Sequence, residues 1–350
     1  MRNVNRSIVL RSRPVGAPQA SDFALIEQPL PVPDAGSMLV QVLECSLDPA
    51  MRRWMDADSY GKSITIGGQL PCTLIGRVVD SGCEGFNAGD FVTGRGTLSD
   101  FALLQADGYT RRIDRSGLPS LTCHLSVLGT SGLTAYNGLL KVGQPRASET
   151  VLVSAASGSV GSLVGQIAKV LGCRVVGITG GATKCSRLLQ SYGFDAAIDR
   201  LGKNADALAR EVHSACPRGV DVYFDNVGGP CLEAALGAIN PHARIVLCGM
   251  IGEYNVELPP PGPPNLWQLV AKTATMTGFL NRDYLADSTG ELAQLRRWIE
   301  EGRLKWSEHI EEGLENFHSA FMRLFEGTHD GKMILRIAKS DFLPRSPGED

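Results

Sequence analysis

Several features that would decide a protein's class are missing from this chain. Its nine cysteines form no Cys-x-x-Cys pair and no clustered spacing, which sets aside a disulfide framework and a four-cysteine zinc site. They read instead as buried thiols in a reducing, cytoplasmic compartment. No apolar run approaches the roughly 20 residues a membrane helix needs; runs such as Val151 to Val153 and Val175 to Ile178 are strand-sized. Charge of one sign is not in excess. With 34 Lys+Arg against 37 Asp+Glu, there is no basic surplus for binding nucleic acid through charge alone. At 20% charged and 43% hydrophobic residues, the chain is not a solvating, disordered one either. The opening MRNVNRSIVLRSRP surrounds a short apolar core with arginines, too short for a secretory signal. An ordinary first strand is expected there, with a transit peptide as the alternative.

Metal-ligand patterns are absent too. The histidines at 124, 213, 242, 309, 318 and 329 form neither HxH nor HExxH, and Cys72 has no ligand-type neighbour, so no metal is expected. Without a Lewis acid, alcohol oxidation is disfavoured.

What is present falls into three parts within 350 residues, enough for two ordinary domains. Up to about residue 115, short alternating runs such as Ser37 to Leu43 and Leu74 to Val79 are broken by turn residues and predict a β-rich, barrel-like unit. Beyond Gly129 strands alternate with helices: Thr150 to Ala155 then 160–172, Arg174 to Ile178 then 182–192, Val220 to Phe224 then 231–239, Arg244 to Cys248, and Ala274 to Leu280. That rhythm predicts an α/β, doubly wound parallel sheet. The tail is mixed. Leu292, Leu295 and Ile299 make one helical stripe stopped by Gly302; Phe317, Phe321, Leu324 and Phe325 make another stopped by Gly327; a last strand carries Met333, Leu335 and Ile337. The expected domains are residues 1–130, a parallel-sheet unit over 131–285 inserted into the β-rich one, and a return segment over 286–350. The proline run from Pro259 to Pro264 reads as a stiff surface connection or, alternatively, a ligand for a proline-recognising module. The closing SPGED reads as a frayed tail.

The sharpest local signal is Val151 to Gly161. An apolar strand runs into Ala156-x-Gly158-x-x-Gly161 and then a helix with Val160, Val164, Ile167, Ala168 and Leu171 on one face. This is a dinucleotide fingerprint in its required strand–turn–helix context, with alanine for the first glycine. Ala156, Ser157, Gly158, Val160 and Gly161 are therefore cofactor candidates; a merely tight turn is the alternative. About 20 residues on, an NAD site wants an acid for the ribose 2′-hydroxyl, whereas a 2′-phosphate wants cations and room. Here Thr179, Gly180, Gly181 and Lys184 follow the second strand with no carboxylate, and Arg200 ends the third. NADPH is the expected cofactor. The competing account is that Lys184 is a solvated helix-start lysine.

The segments LTAYNGLL, VGQIAK, GCRVVGITGGATKC, DVYFDNVGG, CGMIGEYN, LPPPGPP, EHIEEGLENFHSAF and GKMILRI together resemble the prostaglandin reductase and curcumin reductase branch of the zinc-free medium-chain dehydrogenase/reductases, from Val4 to about Ile337. The resemblance implies a GroES-like, partly open β-barrel domain split around an inserted Rossmann domain. It also implies NADPH as cofactor, a small-molecule enone or alkenal substrate and a homodimer, for which the apolar edge strand Ala274 to Leu280 gives a second reason. No nucleic acid or membrane partner is expected.

By position, Lys184 matches the family's 2′-phosphate lysine, and Tyr254 the tyrosine near the nicotinamide ribose and substrate carbonyl. Asn226, Gly228, Cys248 and Gly249 match groove positions; Thr134 and Tyr136 match the segment beside the nicotinamide. Arg200 stands where the family usually has tyrosine. Ala50 replaces the pocket aromatic of SLDPYMR, Thr130 and Ser131 replace the methionine and proline of GMPGLTAY, and Gly94 to Leu98 lacks a common tryptophan. These departures are expected to widen and polarise the pocket. The implied reaction is hydride transfer to the β-carbon, with the Tyr254 hydroxyl stabilising the enolate oxygen and solvent protonating the α-carbon. Tyr254 packing only on the ribose, quinone reduction, and a non-enzymatic NADPH-binding role are the alternatives.

Overall fold

A computed structural model describes residues 4–57, 60–114, 119–258, 260–285 and 288–338. Pro259 and the SPGED segment lie outside them. The chain divides into two compact units: residues up to Gly129 together with those from Glu308, and Thr130–Ser307.

The second unit opens with α1 (Thr130–Asn137) and then alternates β1 (Thr150–Ser154), α2 (Gly161–Val170), β2 (Arg174–Thr179), α3 (Ala182–Gln190), β3 (Ala196–Asp199), α4 (Ala205–Ala215), β4 (Val220–Asp225), α5 (Gly229–Leu236), β5 (Ile239–Leu247), α6 (Trp267–Ala271) and β6 (Thr275–Gly278), ending on α7 (Thr289–Glu300). The sheet order is β3-β2-β1-β4-β5-β6 and every neighbouring pair is parallel. Helices cover both faces of such a sheet, so a central strand reads as a continuous apolar run. All five residues of β1 are buried. The chain reverses direction across the sheet between β1 and β4, and the crevice outside the carboxyl ends of these strands is where this topology binds ligands. The edge strand is shorter than the expected Ala274 to Leu280, because its ends leave the ladder with β5 after Gly278.

The expected return segment began at 286, yet α7 lies within the parallel unit. Its buried stripe explains this: Leu295 and Trp298 face inward, and the Trp298 ring lies 6.0 Å from that of Tyr136 on α1.

In the other unit, Ser37–Ser46 pairs antiparallel with Pro71–Ser81, Phe101–Gln105 and the late strand Lys332–Arg336, which itself pairs with Glu308–Glu312. Met38, Val40, Val42, Leu74, Leu104 and Phe321 lie in its core. The helix Phe317–Glu326 adds a stacked pair, Phe317 on Phe321, with centroids 5.5 Å apart. Lys332 is buried at 2% exposure; its ammonium donates to the Leu47 carbonyl at 3.1 Å and to Asp48 at 2.5 Å, fixing the SLDPAMR segment to the returning strand. A buried ammonium persists only with such partners.

Candidate cofactor and active site

The turn between β1 and α2 is held by close backbone contacts. Ala155 adopts φ +44°, the left-handed region rarely used by residues with a side chain, and the Gly158 amide closes the turn onto the Ala155 carbonyl at 2.9 Å. A Cβ on Gly161 would sit 2.4 Å from that carbonyl oxygen and 2.9 Å from Ala156 Cα, so only glycine lets the helix start there. The first-turn amides of α2 therefore open just past the carboxyl end of β1, where an anion is favoured. Val160 caps the helix, its carbonyl taking the Val164 amide. The Ser157 and Thr179 hydroxyls share a buried 2.6 Å hydrogen bond, so these two residues lock β1 to β2 and offer the groove backbone rather than hydroxyls.

After β2 come Gly180 and Gly181, the latter at φ +90° and capping α3. Lys184 stands in the first turn of that helix. Burial, followed by repulsion from Arg200 and Arg187, pushes its ammonium below the ordinary lysine value. Cations crowded in this way are relieved by a bound anion. Sequence reading found Lys184 and Arg200 but missed Arg187, one turn further along α3. It also found no carboxylate here, because it looked along one strand. Asp199, at the end of the adjacent β3, accepts the Gly181 amide at 2.7 Å and the Leu201 amide at 3.0 Å. Those bonds, with the Gly181 amide first, hold its carboxyl below the usual value.

At the crevice itself, Asp225 ends β4 fully buried. Its Oδ1 accepts from the Ser154 hydroxyl at 2.8 Å, the Tyr223 hydroxyl at 2.8 Å, and the Val227 and Gly228 amides at 3.0 and 3.1 Å. Oδ2 is buried without a hydrogen-bond partner. Burial raises the pKa of this carboxyl, against the pull of its four donors. Its main-chain carbonyl takes the Cys248 and Gly249 amides, so one residue fixes both loops at the crevice. Asn226 turns toward the protein: its Nδ2 donates to the Ser154 carbonyl at 2.7 Å. Gly228, at φ +74°, leaves no room for a Cβ beside the Glu253 carboxylate, which would lie 2.6 Å away. The Cys248 thiol is pushed up to about 12, by burial and then by Asp225, and stays neutral.

Tyr254 follows the short turn Ile251–Glu253. Its hydroxyl accepts the Met250 amide at 3.2 Å, and a Cβ on Gly249 would stand 3.0 Å from that oxygen. A phenol can both accept and donate, and this amide fixes where its oxygen lies.

Thr134 and Tyr136 lie half-buried on α1. Ser131, expected to polarise a pocket, is 3% exposed and instead donates to the Ser159 hydroxyl of the fingerprint turn at 3.2 Å. Leu98 is fully buried in the β-rich core, and Ala50 begins the short helix Ala50–Trp54, half-buried. Among the described residues there is no group of three His, Cys, Asp or Glu placed to hold a metal ion, and no helix long and apolar enough to cross a membrane.

Residues 6–111 match a family described as the N-terminal domain of oxidoreductase, and residues 159–301 one described as zinc-binding dehydrogenase. The chain is 39% identical to an NADPH-dependent curcumin reductase of Escherichia coli, over 96% of this chain and 98% of that one. It is 35% identical to the NADP(+)-dependent 2-alkenal reductase of Nicotiana tabacum, over 96% and 98%. The crystal structure of CurA from Vibrio vulnificus in complex with NADPH matches at 38% identity and a TM-score of 0.89, covering 96% of this chain and 100% of that one. The chain thus belongs to the zinc-free medium-chain dehydrogenase/reductases, in the branch that holds the curcumin, alkenal and prostaglandin reductases.

Proposed function

We propose that this protein reduces the carbon–carbon double bond of α,β-unsaturated ketones and aldehydes with NADPH. The observation that carries the reading is the anion-ready end of β2. Gly180 and Gly181 leave space, Arg200 Nε lies 4.0 Å from where a Gly180 Cβ would be, and Lys184 on the helix that Gly181 caps feels the charges of Arg200 and Arg187. Such a cluster suits a phosphate dianion and is wasted on a ribose hydroxyl.

The residues fit the cofactor along its length. The first turn of α2, reached over Gly158 and Gly161, holds the diphosphate. Lys184 and Arg200 hold the 2′-phosphate. The loops fixed by Asp225, with Gly228 and Gly249, and Thr134 on α1 line the nicotinamide end. When bound, NADPH supplies the hydride taken up by the substrate's β-carbon. As negative charge grows on the substrate carbonyl oxygen, the Tyr254 hydroxyl donates to it, held in place by the Met250 amide. Water then delivers the proton to the α-carbon. Nothing in this sequence of events draws on a metal.

All nine cysteines are free thiols, in keeping with a cytoplasmic, reducing setting. A homodimer built on the β6 edge completes the reading: Leu266, Trp267 and Val270 are exposed beside it, Trp267 by 70%.

The test is turnover. NADPH consumption should be seen with aliphatic and aryl enones and should be slower with NADH. Turnover of quinones alone, or tight NADPH binding with no turnover of either class, overturns the proposal.

A further inference from the structure

The carboxylate of Asp199 ends β3, next to the end of β2 where an acid would argue for NADH, and it lies beside Arg200, whose charge argues for NADPH. Its bonding resolves the conflict. The turn after β3 is sewn to the end of β2 at two points, the Arg200 amide on the Thr179 carbonyl at 2.8 Å and the Gly181 amide on Asp199 Oδ1 at 2.7 Å, while the Leu201 amide, at 3.0 Å from the same Oδ1, holds the carboxylate within its own turn. With two amides on one oxygen, the lone pairs of Oδ1 are spent on the protein. Gly181, at φ +90°, aims its amide at Asp199 from a conformation open only to glycine. A Cβ on Gly180 would lie 3.4 Å from the Leu201 side chain and 4.0 Å from Arg200 Nε, so the clipped turn lays Arg200 alongside Gly180 and Leu201 against both glycines. Lys184 rises from the helix that Gly181 caps. The nearby Lys203, paired with Glu211, also favours the charged Asp199 carboxylate.

We propose that Asp199 is a positioning residue for cofactor selection: by clipping the turn after β2 to the turn after β3, it sets Lys184 and Arg200 around one 2′-phosphate, and it makes no contact of its own with the ribose. The inference rests on the NADPH reading above and adds to it the residue that shapes the phosphate end. An acid recognising the ribose 2′-hydroxyl would act on NADH. An acid acting as a clip acts on NADPH alone, and it acts through its acceptor oxygen, not its charge.

The two roles separate by direct binding. NADPH and NADH are titrated by fluorescence against the full chain and its Asp199→Ala and Asp199→Asn variants, with the melting temperature of each recorded. Asp199→Ala should weaken NADPH about tenfold, the worth of one or two amide bonds to a charged acceptor. Its NADH affinity should stay within about twofold of the unaltered chain. Asp199→Asn keeps the acceptor and removes a negative charge from beside the cations, so it should bind NADPH as tightly as the unaltered chain or more tightly, with NADH again unchanged. The inference is overturned if Asp199→Ala leaves NADPH unaffected, if NADH weakens as much as NADPH, or if Asp199→Asn loses as much NADPH affinity as the alanine variant. Should the alanine variant not fold, Asp199→Asn decides alone: weakened NADH or clearly weakened NADPH refutes the clip. Equal binding of both cofactors by the unaltered chain would remove the NADPH reading, and this inference with it; that result appears before any substitution is made.

Discussion

Tyr254 and Asp225 show how single residues divide the work at the crevice. Tyr254 has its oxygen anchored by the Met250 amide, which fixes the phenol where a developing enolate could use it as a donor. Tyr254→Phe should lower kcat on the order of 10²-fold, the usual worth of one oxyanion donor, with NADPH affinity unchanged; equal losses in both would mean that the tyrosine only packs on the cofactor. Asp225 touches no substrate in this account but holds four donors on one oxygen. Asp225→Ala leaves them buried and unpaired and should cost about 3 kcal/mol or more, read from denaturant unfolding. Its charge also leaves a mark on pH dependence. Burial raises its pKa in the fold, so its contribution is greatest below the unfolded value near pH 4 and is lost as pH rises through the raised one. Asp225→Asn lacks that titration. The stability of this variant relative to the unaltered chain should therefore improve as pH rises above about 4, whatever its absolute cost; a flat difference would show that Asp225 does not titrate in this way. Sequence reading overlooked Asp225, since a carboxylate at a strand end carries no spacing signal of its own.

At the scale of elements, the turn between β1 and α2 was legible because its constraint is local. A strand, small residues and an amphipathic helix follow within one short stretch, and Val164, Ile167 and Ala168 are fully buried as their spacing requires. The same closeness makes the turn intolerant. The Cβ of Gly161→Ala would meet backbone, which cannot swing away, so this variant should lose stability by about 1–3 kcal/mol and weaken NADPH. A melting temperature and a binding titration equal to those of the unaltered chain would refute this. Ser131 was misread for the opposite reason: its partner Ser159 lies on another element, so its direction was invisible until α1 and the turn were placed. The stretch that forms α7 was likewise assigned to the returning segment, because a helical stripe states that it is buried but not against what.

For the whole molecule, the β6 edge is the feature left open. Thr275, Thr277 and Gly278 are exposed along it, next to Trp267 and Val270. A dimer closed by this edge should appear in light scattering, and Trp267→Asp should shift it toward monomer while preserving the fold by circular dichroism; a monomer at all concentrations would refute the dimer.

The alternation of strands and helices, the glycine turn, Lys184 just past β2 and the family itself were fixed by the order of residues, because each depends on neighbours along the chain. Where chemistry depends on residues brought together from separate strands, only the folded molecule decided it. The Asp199 clip joins β3 to the turn after β2, the Asp225 hub ties β4 to β1 and β5, and the buried Lys332 reaches Asp48 from a segment far down the chain. Hydrogen bonds of this kind are set by sheet order and register, which no single stretch of sequence contains.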